Sequence, residues 1–229
     1  MDDYESIAVA RRRPGIRWVN KTSCYSEAKV FIVSGEGITE VIRRRRTVKP
    51  KEFSDQTISQ EIIDEILENA NWAPTHGFTE PWRFSVFTGE ARQDLAEFLA
   101  ATYKAVTTED TFRQNKYEGM KRNATLAPVV IVIGMKRQPS GKISELDEIQ
   151  AVACAVQNMH LTATAHGIGG FWSSNAAATS DQMRDYIGLS GDDRALGLFY
   201  LGYPSKDWPV GKRQPISDKV RWFESKPED

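Results

Sequence analysis

A chain of 229 residues can enclose a large apolar core in one domain without disulfide or metal staples. Its 30 basic and 31 acidic residues leave a formal net charge of −1, which excludes a global pull toward nucleic acid or an anionic membrane surface. Apolar runs are too short for a membrane span, and the acidic start Met1–Glu5 is followed by no apolar run of the secretory kind, so a cytoplasmic location is expected. The cysteines Cys24 and Cys154 lack partners at metal spacing. Cys154 falls in an apolar helical pattern that predicts a small buried hydrophobe.

Residues 1–37 read as an irregular extension, broken at Arg11-Arg-Arg-Pro-Gly15 and Ser34-Gly-Glu-Gly37, that packs over the surface or over a partner subunit. The main domain is expected over 38–223, with a tail at 224–229. A short helix is predicted from Ile38 to Arg45. The next helix is well marked: Ser59 can cap it, Ile58 and Ile63 can form a staple, Glu61 suits the positive end of its dipole, and Ile62, Ile63, Ile66, Leu67 and Ala70 share one face. Trp82 to Thr88 alternates like a strand, and Gly89 turns the chain toward a helix striped with Leu95, Phe98, Leu99, Tyr103 and Val106. Residues 107–123 are polar and charged, as in a mobile helix or lid. Ala127 to Gly134 reads as a strand covered on both faces. From Glu145 to His166 a long Ala-rich helix is predicted, a candidate for close approach by a second helix, ended by Gly167. Ser180 caps a short helix through Ile187, and Ala195 to Gly202 is the last strand. Irregular alternation without repeats predicts an α+β sheet with helices packed around it.

The residues that could carry chemistry lie in four segments. Trp72-Ala-Pro-Thr-His-Gly-Phe-Thr-Glu-Pro-Trp-Arg-Phe84 joins a helix to a strand through a long loop rich in aromatic and hydrogen-bonding groups, where a planar ligand could be gripped. Arg43-Arg-Arg-Arg-Thr47 and Lys49 form the densest positive cluster; it is either a solvated face, a nucleic-acid patch, or a seat for a phosphate dianion that Lys212 and Arg213 could close. In Gly169-Gly-Phe-Trp-Ser-Ser-Asn175, glycines would let backbone approach a flat ring whose polar edge N–H groups or serines could bond, although the segment taken alone reads better as an ordinary strand with a buried Trp. Leu201-Gly-Tyr-Pro204 is a strand end and turn. Gly-x-Gly-x-x-Gly and phosphate-loop patterns are absent, and His76, His160 and His166 show no metal spacing; His160 reads as a packed or exposed helix residue. A ligand loop without acid–base machinery implies that a cofactor performs the reaction.

Taken in order, these segments resemble the flavin mononucleotide (FMN)-dependent nitroreductase family, in particular its compact bacterial NAD(P)H members. The likeness rests on Arg45-Arg46-Thr47, Ala73-Pro74-Thr75 through Pro81-Trp82-Arg83-Phe84, Gly167 through Trp172, and Leu201 through Pro204. It implies a nitroreductase-like α+β fold, a central mostly antiparallel sheet surrounded by helices, in an intertwined homodimer with FMN at the interface and NADH or NADPH as co-substrate. By the matched positions, Arg45 and Thr47 would hold the phosphate and ribityl chain with Arg46 beside them, and Lys49 would lie near the flavin N1/O2 edge. His76 and its loop would face the flavin from the partner subunit, Trp172, Ser173 and Ser174 would meet the ring or its edge, and Arg213 with Lys212 would complete the phosphate site. No metal and no catalytic side chain are implied, since flavin N5 carries the hydride. The acceptor would be a nitroaromatic, a quinone or a similar small molecule. The family's loop often carries Asn and Gln where this chain has Phe78 and Glu80, so an amide donor gives way to a carboxylate that only accepts while ionised. A specialised dehalogenase, flavin-fragmenting enzyme or dehydrogenase, and a non-catalytic flavin-binding regulator, stay open as alternatives.

Overall fold

The computed structural model of the chain describes residues 35–224. The expected packing of the N-terminal extension, Cys24 and the 11–13 basic run lie outside the described residues, as does the tail after residue 224.

Among the described residues, ten α-helices and strands follow one another: α1 (Gly35–Arg44), α2 (Gln60–Asn71), β1 (Trp82–Phe87), α3 (Ala91–Val106), α4 (Gln114–Leu126), β2 (Val129–Met135), α5 (Glu145–Ala165), β3 (Gly169–Ser173), α6 (Asp181–Tyr186) and β4 (Arg194–Gly202). The strands form one sheet in the order β1-β2-β4-β3, antiparallel at every step. The expected α+β architecture is therefore the one adopted.

β2 runs up the middle of the sheet and is buried throughout. Its alternate residues feed two cores, because successive strand side chains point to opposite faces. Val129, Ile131 and Ile133 meet Ile63 and Ile66 of α2 and Val152, Val156 and Met159 of α5. Val130 and Val132 meet Leu95, Leu99 and Tyr103 of α3, Met120 of α4 and Met183 of α6. Each fully buried Leu, Ile or Met contributes about 1.5–3 kcal/mol, so helices on both faces hold the sheet. Polar groups under α5 are matched as well: the buried Glu148 carboxylate pairs with Arg137 and accepts from the Gln138 backbone N–H. Ser144 and Ser180 cap α5 and α6 by accepting from the Asp147 and Met183 amides. Ser59 occupies the cap position of α2 but makes no side-chain bond to the helix backbone.

Three expectations are corrected. Gly35 to Gly37 do not break the chain but open α1. Cys154 is exposed, not a buried hydrophobe. α5 buries Ala151, Val152, Ala155, Val156, Met159 and Ala163, and Cys154 lies off that stripe; alanines on several sides of the helix hide in the sequence which face turns inward. Most of the 107–123 segment is not a free lid either. It enters α4, which packs on α3 through Met120 and Ala124 and through the Lys121–Glu97 ion pair (2.7 Å).

Candidate functional site

After α1 the chain is extended. Thr47 forms a parallel bridge to Gly170 of β3, and the Val48 N–H donates to the Gly170 carbonyl at 3.1 Å. An extended segment has a period of two. Val48 accordingly turns into the core, while Arg45, Thr47 and Lys49 share the other face, with Arg45 half-buried and Thr47 and Lys49 exposed. The crossing is close because β3 opens with two glycines: a Cβ on Gly169 would land 2.6 Å from Val48 Cβ.

Arg46 faces differently from Arg45, and its guanidinium is committed to backbone carbonyls. Nε donates to Pro209 O (3.0 Å) and Nη1 to Arg43 O (2.6 Å) and Arg45 O (2.7 Å). Trp208 Nε1 donates to Arg44 O at 2.6 Å. These bonds fasten the segment after β4 onto the end of α1 and bring Arg213 up to Arg45. Partial burial and then the like charges of Arg213 and Arg46 hold the Arg45 guanidinium below the usual arginine range. Among the described residues, no carboxylate lies within ion-pair distance of Arg45, Arg46 or Arg213. Cations brought together without a counter-charge form an anion seat, since a bound dianion relieves their mutual repulsion. Lys212 is exposed beside Arg213.

Two residues beyond Gly170 along β3 stands Trp172, 38% exposed, its indole N–H donating to Leu196 O at 3.1 Å. The indole can therefore offer its face to a ligand but has already placed its one donor. Ser173 Oγ accepts from Asn175 Nδ2 at 3.3 Å, and Ser174 is exposed. Arg45, Thr47, Lys49, Trp172, Ser173, Ser174 and Arg213 thus belong to one neighbourhood at the β3 edge of the sheet.

His76 and Glu80 lie elsewhere. Their loop is anchored by Trp82 Nε1 donating to Asn71 Oδ1 (3.0 Å) and by the pair His76 Nδ1–Asp147 Oδ2 (3.4 Å) at the N-terminal end of α5. Hydrogen bonds from Ser144 and from His76 keep the Asp147 carboxyl below its usual range. The arginine segment instead touches α5 near its other end, at His160. The separation of 13 residues from Asp147 to His160 corresponds to roughly 20 Å along the helix. Within one chain the loop and the arginines are therefore not joined. The loop is strained: Phe78 (φ 54°) and Glu80 (φ 40°), which both follow Gly77 (φ 61°), are the two non-glycine residues with positive φ among the described residues. Phe78 is 91% exposed. Strain of this kind, with a large aromatic presented to solvent, belongs to ligand or partner surfaces more often than to plain connections.

Sequence reasoning missed two contributors. Trp208 ties down the segment that carries Arg213, and its only signal was an aromatic in an otherwise polar run. His160 is 7% exposed and donates to a backbone carbonyl beneath the arginines. Its signal was a polar residue in register with the buried stripe of α5.

Comparison with known proteins identifies the family. The profile of the Nitroreductase family matches residues 42–203. YdjA of Escherichia coli K12, whose name assigns it provisionally to the NAD(P)H nitroreductases, is 30% identical over 166 residues, covering 72% of this chain and 87% of its own. An iodotyrosine deiodinase from Hydra vulgaris is 26% identical over 223 residues, covering 88% and 78%. A nitroreductase-like family protein from Bacillus cereus has a crystal structure similar to this one at a TM-score of 0.72, with 29% identity, 86% of this chain covered and all of that one (100%). The FMN-dependent nitroreductase NfnB of Mycobacterium smegmatis, solved with NADPH, shares the fold at a TM-score of 0.63 and 21% identity, covering 82% and 99%. The chain belongs to the nitroreductase family.

Proposed function

We propose that this protein is an NAD(P)H-dependent flavin oxidoreductase that holds FMN between the two subunits of a homodimer and reduces a small acceptor, a nitroaromatic, quinone or similar molecule, in a second half-reaction. The observation that carries this reading is the convergence of Arg45 and Arg213, from distant parts of the chain, with no acidic partner among the described residues. A phosphate dianion fits that seat; charge-assisted hydrogen bonds from arginine contribute about 1.5–3 kcal/mol each. Arg45, Thr47 and Arg213 hold the phosphate end, Arg46 adds charge while bracing the backbone, and Lys212 lies at the rim. Lys49 is the positive pole for the N1/O2 edge, and Trp172 with Ser173 and Ser174 lines the ring. His76 and Glu80 of the partner subunit complete the site, which accounts for a loop and an arginine seat set far apart within one chain.

FMN held there would supply the hydride chemistry between a nicotinamide and the acceptor. The chain's own groups orient, exclude water and hold negative charge near Lys49, a fixed electrostatic contribution made by pre-placed cations. Exposed Ile38 and Ile42 on α1, Phe78 in the loop, and Ile216, Trp222 and Phe223 near the end of the described chain form apolar surface suited to burial in the dimer. The same reading places the enzyme in the cytoplasm, and among the described residues no helix is long and apolar enough to cross a membrane.

A reductive dehalogenase is the second reading, favoured by the deiodinase relative that spans most of this chain. Gel filtration after incubation with FMN tests the cofactor: a yellow dimer is expected, and a colourless protein would reject the proposal. Anaerobic stopped-flow reduction by NADH and NADPH in turn separates the two readings. Rapid bleaching with turnover of many acceptors supports the first, and slow bleaching with turnover confined to halogenated phenols supports the second.

A further inference from the structure

His160 stands on α5 among apolar neighbours, 7% exposed, with its ring edge-on to Phe199 at 5.2 Å between centroids. Nε2 lies 2.9 Å from the Arg46 carbonyl oxygen. A carbonyl only accepts, so Nε2 carries the proton and the ring is the neutral tautomer with Nδ1 bare. Burial, together with the charge of Arg45, keeps it neutral. The sheet makes room for the contact: a Cβ on Gly170 would come within 3.0 Å of His160 Cδ2 and Nε2 and 2.7 Å of Phe199 Cζ.

An apolar side chain would continue the buried stripe of α5 with no polar group to desolvate. The carbonyl is what a histidine can hold and a leucine cannot. That carbonyl belongs to the residue between Arg45 and Thr47, in a segment otherwise fixed by Val48 N–H on the Gly170 carbonyl and by Arg46 Nε on the Pro209 carbonyl. We propose that His160 is a positioning residue for the anion seat: by donating to the Arg46 carbonyl it locks the extended backbone from which Arg45, Thr47 and Lys49 project on a common face. Without it, the Arg46–Thr47 peptide would turn, and Arg45 and Thr47 on either side of Arg46 would lose their register. The proposal rests on the FMN reading above and assigns to α5 a control over phosphate affinity that never touches the ligand.

The test compares FMN with riboflavin, which has the same ring and no phosphate, by fluorescence titration of the full chain. Wild-type protein is expected to prefer FMN. His160→Leu, which keeps the apolar volume and removes the donor, should weaken FMN about tenfold, the worth of one lost hydrogen bond, and leave riboflavin unchanged. His160→Gln, whose amide can donate to the same carbonyl, should recover the preference. If His160→Leu does not fold, His160→Met, also without a donor and able to fill irregular space, carries the same expectation. A preference for FMN that survives in the donor-free variant overturns the inference alone. So does an equal loss of both flavins, or a Gln variant no better than Leu. Wild-type protein that binds neither flavin overturns the functional reading and this inference with it.

Discussion

The regions at the two ends of α5 are built in opposite ways. Near its C-terminal end, the segment carrying Arg45, Thr47 and Lys49 is locked from several sides by β3, by His160 and by carbonyl-bound Arg46. Near its N-terminal end, the loop through His76 and Glu80 keeps two residues at positive φ, exposes Phe78 and rests on a few exposed contacts. A seat for a charged group gains from rigidity, since like charges must be held together before the ligand arrives. A loop that meets a partner subunit or an outer ligand face can remain strained until the assembly closes on it. Neither region is a site by itself, and the proposed dimer is what would join them.

The sharpest way to break this comparison is to empty the rigid end. The double substitution Arg45→Ala with Arg213→Ala removes two charge-assisted contacts and should lower FMN affinity about a thousandfold with riboflavin little changed, as read by fluorescence titration. Equal loss of both flavins would mean that the arginines do not hold the phosphate.

Next in size is a pH effect confined to the same end. Burial, offset in part by the Arg46 carbonyl, pushes the His160 imidazole down from 6.5 to about 4. Between those values the unfolded chain binds more protons than the folded one, so stability is lost as pH falls from about 6.5 toward about 4, by on the order of 3 kcal/mol. Urea unfolding across that window should show this loss in the wild type and lack it in His160→Leu. An unchanged slope in the variant would locate the titrating group elsewhere.

At the strained end, Gly77→Ala forces an alanine to φ 61° with its Cβ 3.3 Å from Ile143 Cδ1, and should lower unfolding stability by about 1–2 kcal/mol. A neutral result would show that the loop relaxes freely and that its strain is not retained. The smallest effect is expected for Trp172→Phe. It leaves the Leu196 carbonyl without its indole donor and should cost about 1 kcal/mol in urea unfolding, while a phenyl face would still be offered on that side of β3.

Much of this protein was legible in the order of its residues. Hydrophobic periodicity placed α2, α3 and α5, the unbroken apolar run of β2 announced a strand covered on both faces, and the arginine, Pro-Trp, Gly-Gly-x-Trp and Gly-Tyr-Pro segments named the family. These are local patterns, and period and turn chemistry are written in neighbours along the chain. Only the tertiary structure decided which face of the alanine-rich α5 turns inward, leaving Cys154 in solvent, and that Arg46 commits its guanidinium to backbone carbonyls. It also decided that His160 reaches the Arg46 backbone, and that the aromatic loop and the arginines of one chain lie a helix length apart. Such facts depend on how separate elements pack, and packing is settled by shape and burial summed over the whole molecule.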